Sequence, residues 1–231
     1  MFHLCSMSVV KCLLSYVWPV TVWEGPGKYG QLRMAWEGGH LVVNSGNANQ
    51  SYGSLHAVWQ ECLNELKVAE RQLKSVLILG FGAGSAAGIL RKEMGLSTPI
   101  LGVDGDPEML RLARTYYKVG KLRDLELVES DALAFVQDHG NEYDLVLVDL
   151  CHELDLAPGV DEEPFIRDLR KCTSPGGLLC FNTIVHNEQS RLRSQRAVSY
   201  THLRAHETVL DLVCRLLLQK KKQKKKLQDL A

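Results

Sequence analysis

The residues of this chain whose types and spacing can do chemistry sit just after short apolar runs. The first group is Gly80, Gly82 and Gly84, in the segment LGFGAGS at 79–85. Glycines let the backbone approach a ligand closely, and the N–H groups of a helix starting there point at it. A GxGxxG fingerprint from Gly80 would need glycine at 85, where Ser85 stands. The second is Asp104 in GVDGDP, 20 residues after Gly84. An acid at that strand edge can accept hydrogen bonds from both hydroxyls of a ribose. Asp106, directly before Pro107, suits a helix N-cap better. The third is Asp131 in ESDALAF, which can cap a helix or meet the amino group of an adenine. The fourth is Asp149, ending YDLVLVD, where a carboxylate can bind, orient or deprotonate an amine. Tyr52 and His56, one helical turn apart, are the candidates for substrate contact, although His56 also suits packing in a domain seam. Cys151 and His152 are neighbours on an extended segment and point to opposite sides, which argues against a nucleophile pair.

These positions need elements to bring them together. Strands are expected at Ser75–Leu79, Ile100–Asp104, Leu125–Glu129, Tyr143–Asp149 and Gly177–Asn182. Helices are expected from Gly84, Pro107, Asp131 and about Asp161. VLIL and LVLV are continuous apolar runs, as for strands buried on both faces. Repeated β-α units predict an α/β fold with a doubly wound, mostly parallel sheet, and ligands then bind at the carboxyl ends of the strands. Before them, Tyr16–Trp23, Gln31–Trp36 and His40–Asn44 alternate with turn-rich GPGKYG and EGG, predicting a small antiparallel meander. Residues 52–72 carry a 3.6-residue apolar period through Leu55, Trp59, Leu63 and Leu66, hence an amphipathic helix. The four tryptophans are expected to pack in the core or the hairpins. The organisation is an N-terminal β region over 1–50, a cofactor-binding domain over 51–197 and a tail over 198–231.

The 231 residues are 45% apolar and 23% charged, enough for one globular domain with a sizeable core. Of 27 Lys+Arg and 27 Asp+Glu, 8 and 3 respectively fall from Val198 onward, so the body is acidic and the tail basic. An acidic body does not suggest a nucleic-acid partner. No apolar run reaches the roughly 20 residues of a membrane span. Seven cysteines with no CxxC pair read as core residues of a cytoplasmic protein, with no metal site. Lys11 splits the apolar N-terminal run and no small-residue cleavage site follows, so a signal peptide is not expected.

The ordered set of four strand-end features resembles class I S-adenosylmethionine-dependent methyltransferases, and more narrowly their spermidine synthase-like branch. The pieces that carry the resemblance are LSYVWPV, NQSYGSLHAVWQECL, VLILGFGAGS, GVDGDPEML, ESDALAFV, YDLVLVDL and GGLLCFNTI, spanning roughly residues 14–187. The resemblance implies a Rossmann-like methyltransferase fold. Gly80, Gly82 and Gly84 would line S-adenosylmethionine or its decarboxylated form. Asp104 would hold the ribose, Asp131 the adenine, and Asp149 would stand at the catalytic carboxylate. There are departures. Spermidine synthases carry GGGDGG in the first turn, and Ala83 replaces that Asp. Their DSSDP loop is here Asp149-Leu150-Cys151-His152-Glu153. Their acidic pair before Tyr-His is here Ser51-Tyr52, ahead of Leu55-His56. A polyamine site needs several carboxylates, so methyl transfer to a small molecule is the expected activity. Acids at 153–163 could restore aminopropyl transfer to a polyamine, the alternative. A non-catalytic adenosyl-ligand or protein-binding domain and a nicotinamide dehydrogenase are weaker options. The expected partner is a small-molecule substrate, not nucleic acid or membrane, and a homodimer is left open.

The tail is set aside from functional reasoning. Val198–Thr208, VSYTHLRAHET, resembles the conceptual translation of a transposase-type sequencing adapter. Leu212–Leu218 resembles its constant end, and the lysine run an A tract. The fold's C-terminal helix would then be only begun, by VHNEQSRLRSQR, and its last strands missing. A bare sheet edge would make the chain aggregation-prone or inactive. The genomic locus is expected to leave this sequence near residue 198; a native gene encoding SYTHLRAHET contradicts the reading.

Overall fold

The computed structural model describes residues 9–45, 48–51, 54–152, 155–183, 187–202 and 210–214. A short helix, α1 (residues 9–14), precedes an antiparallel meander of β1 (Val20–Gly27), β2 (Gly30–Glu37), β3 (His40–Ser45) and β4 (Ala48–Ser51). The meander starts later than the sequence suggested. Residues 15–18 form turns, and Ser15 ties them to the β2–β3 turn by accepting from the Gly38 N–H (2.9 Å) and, through Oγ, the Gly39 N–H (2.9 Å).

The larger sheet holds β5 (Val76–Leu79), β6 (Ile100–Asp104), β7 (Leu125–Glu129), β8 (Tyr143–Val148), β11 (Thr173–Asn182) and β12 (Leu210–Cys214). Its order is β12-β11-β8-β5-β6-β7, with every pairing parallel. The anticipated doubly wound sheet is therefore present. Alternate strand residues serve its two faces. Val76, Ile78, Leu145 and Leu147 pack with Trp59, Leu63 and Leu90, from α2 (Ser54–Glu65) and the turn after α3 (Ser85–Gly88). Leu110 of α4 (Pro107–Tyr116) joins the same face. Leu77, Leu79, Val146 and Val148 pack with Val136 of α5 (Ala132–Asp138) and with Phe165, Ile166 and Leu169 of α6 (Glu163–Lys171). Burial on both faces explains the unbroken apolar runs.

Two helices are shorter than the periodicity suggested. α2 stops at Glu65, after which Lys67 turns left-handed (φ 52°) into a 3₁₀ turn at Val68–Glu70. α3 gives way after four residues to a π-turn over Ile89–Glu93. Beyond β11, α7 (Glu188–His202) starts where VHNEQSRLRSQR placed a helix and runs into the adapter-like stretch. β12 lies wholly within that stretch, and its pairing covers the outer edge of β11. The short pair β9 (Cys151–His152) and β10 (Asp155–Leu156) follows β8.

One carboxylate helps to fasten the meander to the large sheet, alongside the Tyr117 hydroxyl, which donates to the Leu41 carbonyl at 3.1 Å. Asp106 Oδ1 accepts the Glu108 and Met109 N–H groups at 2.9 and 3.3 Å, capping α4. Its Oδ2 accepts the Lys28 N–H from the β1–β2 turn at 2.9 Å. Leu32, Met34 and Val43 of the meander pack on Met109 and Leu112 beneath. Asp106→Ala is expected to cost about 1–2 kcal/mol in urea unfolding, from the lost cap and the unpaired Lys28 N–H. Asp106→Asn retains an acceptor and should lose less.

Candidate cofactor and transfer site

The parallel sheet changes direction of travel between β5 and β8, and a cavity of about 350 Å³ opens at their carboxyl ends. Backbone geometry demands glycine at its floor. Gly80 has φ +78°, and a Cβ there would lie 2.1 Å from the carbonyl oxygen of Asp149. Gly82 sits beside it in the cavity wall. Gly84 (φ +90°) is the left-handed residue from which α3 starts and packs against Val119 and Phe81, away from the lining.

Asp104 ends β6 on one side of that floor. Its Oδ2 accepts the Gly82 N–H at 2.7 Å and its Oδ1 the Asp106 N–H at 2.9 Å, so it also shapes the glycine turn. Burial pushes its pKa up to about 6; the two backbone hydrogen bonds oppose this, and the charges of Asp106 and Asp149 add to it. Asp131 also lines the cavity. Its Oδ1 caps α5, accepting the Leu133 and Ala134 N–H groups at 2.9 and 3.1 Å. The cap and the place in the cavity wall coincide, so one does not exclude the other.

Asp149 ends β8 on the other side. Trp59 Nε1–H donates to its Oδ2 at 2.8 Å, and Asn182 Nδ2–H donates to its Oδ1 at 2.8 Å. Burial pushes the Asp149 carboxyl up, and these two donors pull it back. Neither donor was among the site residues expected from sequence. Trp59 packs in the core as anticipated, yet a buried indole N–H must find an acceptor. Asn182 had a visible signal, a polar residue closing the apolar run LLCF at a strand end. Tyr29 and Ser45 of the meander also line the cavity, Tyr29 beside Gly105.

Other candidates lie elsewhere. His56 is not among the lining residues; its Nε2 is 2.6 Å from Glu93 Oε1 on the π-turn, where Gln60 Nε2 also donates to Oε2 at 2.7 Å. The structure does not bring His56 to Asp149. Tyr52 lies outside the described residues. Cys151 lines the cavity, but burial pushes its thiol far up, which removes the thiolate a nucleophile needs. Among the described residues, no group of three His, Cys, Asp or Glu is placed to hold a metal ion.

A family described as a methyltransferase domain matches residues 76–177. A polyamine aminopropyltransferase of Chromobacterium violaceum is 27% identical over 110 residues, 47% of this chain and 42% of that protein. An eEF1A lysine and N-terminal methyltransferase homolog of Drosophila pseudoobscura is 30% identical over 125 residues, 50% of this chain and 18% of that protein. Spermidine synthase from Thermotoga maritima superposes with a TM-score of 0.62 at 17% identity, covering 78% of this chain and 64% of that one. This chain has the class I methyltransferase fold and is similar in sequence to polyamine aminopropyltransferases and to methyltransferases. It spans less than half the length of the curated relatives it matches.

Within that fold, Ala83 has a role the sequence did not suggest. It is fully buried among Leu32, Met34, Met109 and Leu112, and is not in the cavity wall. It packs the meander onto the sheet. Its side chain therefore does not report on the charge of a ligand. Gly80→Ala is expected to destabilise the fold by about 1–3 kcal/mol or more, since both φ and the Asp149 carbonyl oppose a Cβ. Urea unfolding checks this.

Proposed function

We propose that this chain binds S-adenosylmethionine and transfers its methyl group to a small-molecule acceptor. The observation that carries the reading is the placement of Asp104 and Asp149 on opposite sides of the Gly80–Gly82 floor at the sheet's switch point. Gly80 and Gly82 line the cavity with backbone, and Gly84 starts α3 behind them. The site fits the cofactor on its own chemistry: a glycine turn in the cavity wall, a carboxylate for the ribose hydroxyls and apolar surface from Met109 and Leu133. Asp131 takes the adenine amino group with the oxygen its cap leaves over. When bound, S-adenosylmethionine supplies an electrophilic methyl on a positively charged sulfur. Asp149 then orients the acceptor and can take its proton, in-line positioning being the main demand.

Methyl transfer is favoured over aminopropyl transfer by the wall beyond Asp149. That wall is Leu150, Cys151, Ala157 and Pro158. Of the nearby acids, Asp161 is turned away into a pair with Arg193, whose Nε donates to Oδ1 at 3.0 Å and whose Nη2 donates at 2.5 Å. Asp155, Glu162 and Glu163 are not in the lining, and Glu153 lies outside the described residues. A polyamine would meet few compensating charges there. Aminopropyl transfer is the second reading, supported by the names of relatives such as the Chromobacterium violaceum protein. The proposal carries with it a cytoplasmic protein without nucleic-acid or membrane partners, and leaves a homodimer open. No helix among the described residues is long and apolar enough to cross a membrane.

Asp104 supplies the test. Its folded pKa of about 6 is above its ordinary value of 3.8, so the folded state holds its proton more tightly than the unfolded one. Its contribution to stability therefore falls as pH rises from about 4 to 6. Ribose hydroxyls need the ionised form, so the rise in melting temperature given by S-adenosylmethionine should grow across the same window and level off above it. Asp104→Asn should weaken binding about 10- to 100-fold at pH 7.5 and flatten that pH dependence. A pH-independent shift in the unmodified chain contradicts the assignment.

A further inference from the structure

Asp149 is a carboxylate taken out of water at the end of a strand, and the cavity it faces has no lysine, arginine or histidine among its described lining residues. A buried charge without a counter-ion ordinarily takes up a proton. Here each oxygen receives one neutral N–H, from elements far apart in the chain. Trp59 comes from the buried face of α2, 90 residues before Asp149; Asn182 comes from the last residue of β11, 33 residues after it. Both donors are themselves buried, at 1% and 4% exposure, so neither can exchange its partner for bulk water. Two donors fix the plane of the carboxylate as well as its charge. The titratable neighbours that face it are Asp104 and Cys151, and its charge pushes the pKa of both up.

We propose that Trp59 and Asn182 are positioning residues, a two-sided clamp that holds Asp149 ionised and in one orientation at the reacting end of the cavity. The clamp is a structural assignment; its purpose, an anion facing the sulfonium and the acceptor, rests on the methyl-transfer reading. An aromatic core residue thereby has a second duty, and α2 is coupled to the chemistry through a single indole N–H. A positively charged sulfur would be favoured over a neutral one by such a fixed anion.

The test uses the full chain and two readouts. Carbon-13 NMR titration of the aspartate carboxyl carbons, assigned by loss of a signal in Asp149→Asn, reads the clamp directly. Trp59→Phe keeps an aromatic ring and removes the N–H. Asn182→Ala removes the other donor without disturbing the α2 core. In each, the Asp149 midpoint should move up by about one unit. Calorimetric titration with S-adenosylmethionine and S-adenosylhomocysteine then reads the purpose. The preference for the sulfonium ligand at pH 7 should fall by about tenfold in either variant and recover at higher pH. A midpoint that stays put in both variants overturns the clamp. A midpoint that moves without any change in ligand preference overturns its purpose. If neither ligand binds the unmodified chain, the methyl-transfer reading and the purpose fall together, while the titration still decides the clamp.

Discussion

A carboxylate at the end of a strand buried on both faces has few ways to keep its charge. Asp149 accepts one N–H on each oxygen, from Trp59 and from Asn182, which favours the ionised form against the effect of burial. That arrangement needs α2 on one face of the sheet and β11 beside β8 in register, so that Phe181 stands opposite Val148. It also needs Gly80, because the backbone of Asp149 crosses where a side chain would be. The main core, the strand order and the glycine floor all serve the placement of this one group. Moving α2 or β11 by an ångström would leave one oxygen of this buried carboxylate without its donor, at a cost of about 1–3 kcal/mol.

The meander is tied in by an analogous but separate device. Asp106 caps α4 and holds the β1–β2 turn, and Ala83 fills the space between the two layers. The result is a cavity with walls from both sheets: Tyr29 and Ser45 from the meander, Asp104 and Asp149 from the parallel sheet. Its charge is carried by aspartates, and its far wall is apolar. Such a lining suits a ligand that is positive near Asp149 and mostly uncharged beyond it. Arg193 supports the apolar wall from behind, donating to the Leu156 and Ala157 carbonyls at 2.7 and 3.1 Å as well as to Asp161.

The parallel strands and their carboxyl-end residues could be read from the sequence because both depend on local features. VLIL and LVLV announce two-sided burial, and an acid or glycine directly after such a run must emerge at the sheet's end. Hence Gly80, Gly82, Asp104, Asp131 and Asp149 gather at one cavity. The helix ends were less legible. The apolar period of α2 continues past Glu65, and only the left-handed Lys67 breaks it. The pairing of Trp59 and Asn182 with Asp149 could not be read for a different reason. Their partner lies 90 or 33 residues away, and no local pattern encodes a contact across that separation. His56 misled because an i, i+4 pairing with Tyr52 says which face a residue shares, not what that face meets; the π-turn supplies Glu93 instead. Ala83 follows Gly82 of the cavity wall in sequence, but its own side chain points into the core.

The lining of the cavity distinguishes two proposed reactions, methyl transfer and aminopropyl transfer to a polyamine. Side-by-side calorimetric titration with S-adenosylmethionine and with decarboxylated S-adenosylmethionine separates them most directly. Methyl transfer requires tighter binding of the carboxylated cofactor. Tighter binding of the decarboxylated form would contradict it, and would make the acids at 153–163 the replacement amine site despite the Asp161–Arg193 pair.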